Sequence, residues 1–286
     1  MGIIMGLATM TGWGVAIFFE AIANRKTKNF IVLFWMELFG LILGLFYFFY
    51  KFSSFDFSLI YHYFPQIAII ALLQMFAYLS FYQGLAKAQV SLVSSIAACW
   101  GLLTAILGII ILKETLKLNQ TLAIIFIVVG IILASVNIKD FIANKKIKLL
   151  VGVKEGLMAM LGWGISLFML ASLTKTMGWF LPAISFRFFL LIFLLVYMLL
   201  AKKDFVEKKV KFPLLILILC GVFDMGAFFT YSLGTSGSYA SIVAPIGSAY
   251  TLVTILLAQI FLKEKIKVNQ AIGILGILVG LVPISL

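Results

Sequence analysis

Histidine, cysteine and charge are all scarce in this chain. Its 286 residues include one histidine, His62, and two cysteines, Cys99 and Cys220. A disulfide scaffold is therefore excluded, and both cysteines lie in apolar runs, where each reads as a small core hydrophobe. No Cys/His metal site can be assembled around a single histidine that the sequence places in a loop. No phosphate-binding loop is present, which excludes an ATPase. No nucleophile–base pair stands out from the isolated serines and carboxylates, so neither an enzyme nor a cofactor is called for. Charged residues make up 11% of the chain, against about 25% in soluble domains.

What fills the chain instead is apolar: 64% of its residues are hydrophobic, and the mean hydropathy is +1.20. So few charges cannot cover so much apolar surface in water, so a soluble globular fold is excluded, as is disorder. The reading is an all-α integral membrane protein. Ten apolar segments follow one another: Gly2–Ala23, Phe30–Tyr50, Phe64–Ala86, Val90–Leu112, Gln120–Ile138, Val151–Leu173, Phe180–Ala201, Phe212–Gly234, Tyr239–Leu262 and Val268–Leu286. At about 1.5 Å per residue, most can span a hydrocarbon core of about 30 Å. Pro65, Pro182 and Pro213 fall in opening turns, and Asn119 and Asn269 fall where N-caps are wanted. The first segment has neither a basic leader nor a small-residue cleavage site and reads as an uncleaved helix.

The net charge of +12 does not point to nucleic acid, because the cations sit on short loops between apolar segments. With ten crossings, the loops opposite the termini carry 17 Lys and Arg residues and those on the terminal side carry four. That bias predicts both termini outside and the Lys-rich loops in the cytoplasm, in a multi-pass protein of the plasma membrane.

The chain also repeats itself. At an offset of 150 residues, Gly12-Trp13-Gly14 falls on Gly162-Trp163-Gly164, Leu112-Lys113-Glu114 on Leu262-Lys263-Glu264, and Asn119-Gln120 on Asn269-Gln270. The units are residues 1–138 and 151–286, joined by a basic linker at 139–150. Five segments per unit is an odd number, so the second copy enters the membrane from the opposite side. Ten helices in two inverted-topology repeats of five give the geometry of alternating access.

These features resemble the drug/metabolite transporter superfamily, in its EamA-like branch. The resemblance covers the whole chain and rests on the two Gly-Trp-Gly motifs, Arg187-Phe188 early in the seventh segment, Pro245 midway along the ninth, and the Leu-x-Glu ends at Leu112–Glu114 and Leu262–Glu264. It implies a cavity lined by the first, third and fourth helices of each repeat. It also implies substrates that are small metabolites such as amino acids, sugars or xenobiotics. Glu37 and Ser95 depart from the pattern, standing where a basic residue and a proline are usual. Many relatives have cytoplasmic termini, against the charge bias here.

Ionisable groups at membrane depth are costly and mark function. Asp224 and its repeat mate Gln74 lie near mid-membrane. Asp224, Phe228 and Tyr231 share a helical face, as do Gln74 and Tyr78. Desolvation would suit Asp224, and also Glu37, to carrying a proton. Trp13 and Trp163, flanked by glycines, read as cavity walls. Arg187 is placed to snorkel to the nearer surface, and Glu20 to sit at the interface. Ser241, Pro245, Ser248 and Thr251 form a stripe in the ninth segment, with Pro245 as a hinge; Ser91, Ser94, Ser95 and Thr104 decorate its counterpart. Glu114 and Glu264 read as solvated surface pairs. The expected substrate contacts are Trp13, Gln74, Tyr78, Ser95, Trp163, Asp224, Phe228, Tyr231 and Ser248. The function expected is a secondary transporter of a small metabolite, proton-coupled or facilitative, working in the bilayer as a monomer or homodimer. A channel-like pore, an intramembrane lipid enzyme and a non-transporting membrane subunit are the competing readings.

Overall fold

The computed structural model describes residues 1–87, 93, 96–135, 152–206, 213–263 and 268–281. Ser91, Ser94, Ser95, Glu264 and the basic linker lie outside them. Among the described residues the regular structure is all helical. Its helices are α1 (Gly2–Asn24), α2 (Asn29–Tyr50), α3 (Ser58–His62), α4 (Phe64–Lys87), α5 (Trp100–Ile111), α6 (Leu118–Ser135), α7 (Val153–Met177), α8 (Phe180–Leu200), α9 (Leu214–Gly237), α10 (Ala240–Ser248), α11 (Tyr250–Leu262) and α12 (Val268–Leu281). Among the described residues, seven helices are long and apolar enough to cross a membrane: those above from α1, α2, α4, α7, α8 and α9, and the run Ala240–Phe261. Three shorter apolar helices accompany them, Ile96–Ile111, Leu118–Leu133 and Ala271–Leu281.

Three local expectations are corrected. His62 closes the short helix α3 rather than lying in a loop; Asp56 opens that helix by accepting bonds from the Ser58 N–H (3.0 Å) and hydroxyl (2.6 Å). Helix α6 begins at Leu118, one residue before the expected cap Asn119. There Gln120 reaches back to accept the Lys117 N–H at 3.0 Å, as the acidic or amide member of a capping box does. The ninth segment is two helices, broken at Ala249 four residues after Pro245. Proline alone does not explain the break, because the fourth segment turns at Cys99, the repeat mate of Ala249. Both breaks carry the same short bond, Cys99 N–H to the Ile96 carbonyl (3.2 Å) and Ala249 N–H to the Ile246 carbonyl (3.1 Å). Such three-residue bonds tighten a helix locally.

Packing repeats at the same offset. Helix α1 lies on α9 as α7 lies on α4, α2 on α9 as α8 on α4, and α6 on its mate α12. Glycines make the close approaches. A Cβ at Gly12 would come within 2.9 Å of the Ala227 Cβ, and one at Gly162 within 2.8 Å of the Ala77 Cβ. Thr254 Oγ1 donates to the Gly14 carbonyl at 3.0 Å, and Thr104 Oγ1 to the Gly164 carbonyl at 2.9 Å. Lys113 and Lys263, also mates, both take left-handed backbone, with φ of 56° and 55°. The helix, glycine and threonine contacts above each join one repeat to the other, so neither half buries its faces alone.

Contacts between loops define two ends of the bundle. At one, Lys87 pairs with Glu155 at 3.0 Å, and Lys203 lies 5.5 Å from the Phe30 ring centre. At the other, Lys175 Nζ donates to the Ser238 carbonyl at 2.8 Å, and Glu114 meets the start of α10.

Candidate functional site

Where α1, α4, α5, α7, α9 and α11 converge, they leave a cavity. It is lined by Trp13, Ala16, Ile17, Glu20, Gln74, Tyr78, Trp100, Trp163, Leu167, Asp224, Phe228 and Tyr250. About 40 Å³ is open to the centres of water molecules, space for roughly three. Ten of the lining residues are five repeat pairs: Trp13 with Trp163, Ile17 with Leu167, Gln74 with Asp224, Tyr78 with Phe228, and Trp100 with Tyr250. The two halves thus build one wall each from equivalent positions.

The walls are aromatic. Trp13 meets Trp100 and Phe228 edge to face at 5.4 and 5.1 Å, while Trp163 meets Tyr78 edge to face at 5.3 Å and the tilted ring of Phe81 at 5.1 Å. Edge-to-face packing fixes each ring, and the flanking glycines let neighbouring helices approach past it. Set among these rings are polar atoms with no hydrogen-bond partner: Glu20 Oε1, both amide atoms of Gln74 and the Tyr250 hydroxyl. Buried polar groups normally find partners, and these have none within the protein.

Beside the cavity lies a buried charge cluster that the sequence did not reveal. Arg187, fully buried, does not snorkel; its guanidinium lies 3.1 Å from Glu37 Oε2 and against the Asp224 carboxylate. Its Cζ also sits 5.2 Å from the Phe228 ring centre, within cation–π range. Gly40 makes this possible, since a Cβ there would collide with the guanidinium. Asp224 is accordingly not an isolated carboxyl: one oxygen meets Arg187, and the other receives the Tyr78 hydroxyl at 3.4 Å. Glu37 and Arg187 are repeat mates, so a charge of each sign occupies the same position in the two halves and meets across the interface.

Other expected site residues are placed differently. Glu20 is 5% exposed and lines the cavity rather than sitting at the interface. Tyr231 is buried behind the wall, donating its hydroxyl to the Leu167 carbonyl at 3.1 Å and so tying α9 to α7. Ser248 bonds back to the Pro245 carbonyl at 2.9 Å and faces Gly101, outside the lining. Glu114 is buried, not solvated; its two oxygens accept the N–H groups of Ala240 and Ser241 at 2.9 and 2.8 Å, capping α10 from another helix's end. Anions are favoured at that end of a helix. Its Leu-x-Glu motif was visible in the sequence, but nothing there said which helix it would cap.

A helical bundle of apolar spans enclosing a polar-and-aromatic cavity is the build of a multi-pass membrane transporter of small molecules. The chain belongs to the EamA-like transporter family, whose model matches residues 1–136 and again 150–286. The family is one of transporters, and the double match covers both repeats. Among solved structures, a crystal structure described only as that of a protein is similar in fold. It has a TM-score of 0.81 at 12% identity, over 99% of this chain and 94% of that one. No curated protein matches the chain.

Proposed function

We propose that the protein is a secondary carrier that moves a small metabolite by alternating access between two inverted repeats of five spans. The observation that carries this reading is the cavity at the interface of the halves: matching positions of both repeats line it, and unpartnered polar groups face into it. Two equivalent halves have two equivalent ways to lean, one opening the cavity to each side. The exchanged packing supports the inversion, because the contacts of α1 and α2 on α9 recur as those of α7 and α8 on α4, with the roles of the repeats reversed. The breaks at Cys99 and Ala249 are the places where the halves flex, with Pro245 loosening the second. Both termini lie outside and the Lys-rich loops face the cytoplasm across the plasma membrane. One chain contains a complete cavity, so a monomer suffices and a homodimer adds no lining.

Coupling to protons runs through the charge cluster. Two carboxyls, Glu37 and Asp224, share one guanidinium, so a proton on either leaves the other paired. The test is exchange in proteoliposomes, with a panel of small amines, amino acids and sugars inside and a labelled trace of each outside. A carrier gives uptake that is accelerated by the same unlabelled solute on the far side. Uptake indifferent to the trans solute would mean a pore, and no uptake of any solute would remove the reading.

A further inference from the structure

Glu20 breaks the symmetry of the cavity. Its repeat mate is Leu170, which is fully buried in the apolar core. Of the cavity's lining residues, only Glu20 and Ala16 have a repeat mate outside the lining. The carboxyl of Glu20 is also the lining acid that Arg187 does not engage, and its Oε1 has no partner. Trp13, Ile17 and Glu20 succeed one another at steps of four and three along one face of α1, covering about 10 Å. Tyr250 and Gln74 bring further unpartnered acceptors and donors to the same space.

We propose that the cavity selects a small organic ammonium, with Glu20 as its counter-ion and the Trp13, Trp100 and Trp163 rings as its walls. Aromatic faces attract a cation through their quadrupole, most strongly when water is excluded, and tryptophan does so best. A carboxylate beyond them gives the charge a definite end point and a charge-assisted hydrogen bond. The same lining disfavours anions. It contains no lysine, arginine or histidine among the described residues, and the adjacent guanidinium is already shared by two carboxyls. A carboxylate or phosphate on the solute would find no charge to meet it. The amine therefore carries no acidic group close to its nitrogen, and amino acids become a distinguishing outcome rather than the expected substrate. This inference rests on the carrier reading for its meaning, but its binding test does not depend on transport.

The experiment uses the purified full chain and ethylammonium as probe, a cation of the size the cavity admits, with ethanol as the uncharged counterpart and glycine as the zwitterion. Quenching of tryptophan fluorescence reads binding. The expected result is that the ammonium binds at least tenfold more tightly than either counterpart. Glu20→Gln should remove that preference, and Glu20→Asp should retain part of it. Since Glu20→Gln can also disturb folding, wild-type protein is labelled in parallel with a hydrophobic carbodiimide. The adduct should map to Glu20 and be prevented by the ammonium but not by the alcohol. Equal binding of all three probes, tighter binding of glycine, or carbodiimide labelling of Glu20 unaffected by the ammonium would each overturn the proposal. Preferential ammonium binding without exchange in liposomes would overturn the carrier reading instead, and exchange of neutral solutes with no ammonium preference would leave that reading standing alone.

Discussion

Arg187 is the residue on which the cavity's electrostatics turn. Removing one partner of a buried ion pair leaves an uncompensated charge, which costs about 3–5 kcal/mol. Here the loss of the guanidinium strands two carboxyls, Glu37 and Asp224, so Arg187→Met should destabilise the protein by at least that amount. Asp224→Asn removes one of two carboxyls and leaves Glu37 with the guanidinium at 3.1 Å, so it should cost clearly less. Unfolding of the purified protein in a graded detergent mixture gives both values, and equal losses would mean that Glu37 does not support Arg187. The same Asp224→Asn variant should exchange solute while losing accumulation driven by a pH gradient. The sequence showed each of these groups at membrane depth but not their meeting. Glu37, Arg187 and Asp224 come from α2, α8 and α9, and which faces of three helices turn toward one another is not written in any one helix's hydropathy.

Between helices, caps and glycines carry the construction. Glu114 holds the first two N–H groups of α10, a helix that begins inside the protein where water cannot satisfy them. Loss of a helix cap costs about 0.5–2 kcal/mol, and bonds to a charged acceptor lie at or above the upper end. Glu114→Ala should therefore lower stability by about 2 kcal/mol and Glu114→Gln by less, which a thermal melt would measure. Gly12 and Gly162 make a second, paired prediction. Each Cβ would press on the Cβ of an alanine in the facing helix, and overpacking a tight contact costs about 1–3 kcal/mol. Gly12→Ala and Gly162→Ala should destabilise the protein similarly, because the two sites are one site seen twice. A large effect at one and none at the other would contradict the equivalence of the halves. The element positions themselves were largely legible: α1, α2 and α8 start and end within a residue of the expected segments. The reason is physical, since a hydrocarbon core of fixed thickness dictates the length of each apolar run. The breaks at Cys99 and Ala249 were less so. Pro245 hinted at one, while Cys99 has no local signal; the two turns share their position in the repeat and the same three-residue bond.

For the whole molecule, the 150-residue offset was the most informative signal, and the cavity follows from it: ten of its twelve lining residues are repeat mates of one another, with Glu20 and Ala16 as the asymmetric remainder. Orientation rests on the uneven loops. Lys145→Cys should resist an impermeant thiol reagent added to intact cells and react after the membrane is opened; strong labelling of intact cells would reverse the topology. The account's central claim is that one cavity opens to both sides in turn, and Ile17 on its wall tests it most directly. With Cys99 and Cys220 replaced by serine, Ile17→Cys is exposed to an impermeant thiol reagent in right-side-out and in inside-out vesicles, while ion conductance is recorded. Alternating access predicts modification from either side, loss of solute exchange on modification, and no ion conductance at any stage. Modification from one side only, or from both sides together with a steady conductance, would contradict it.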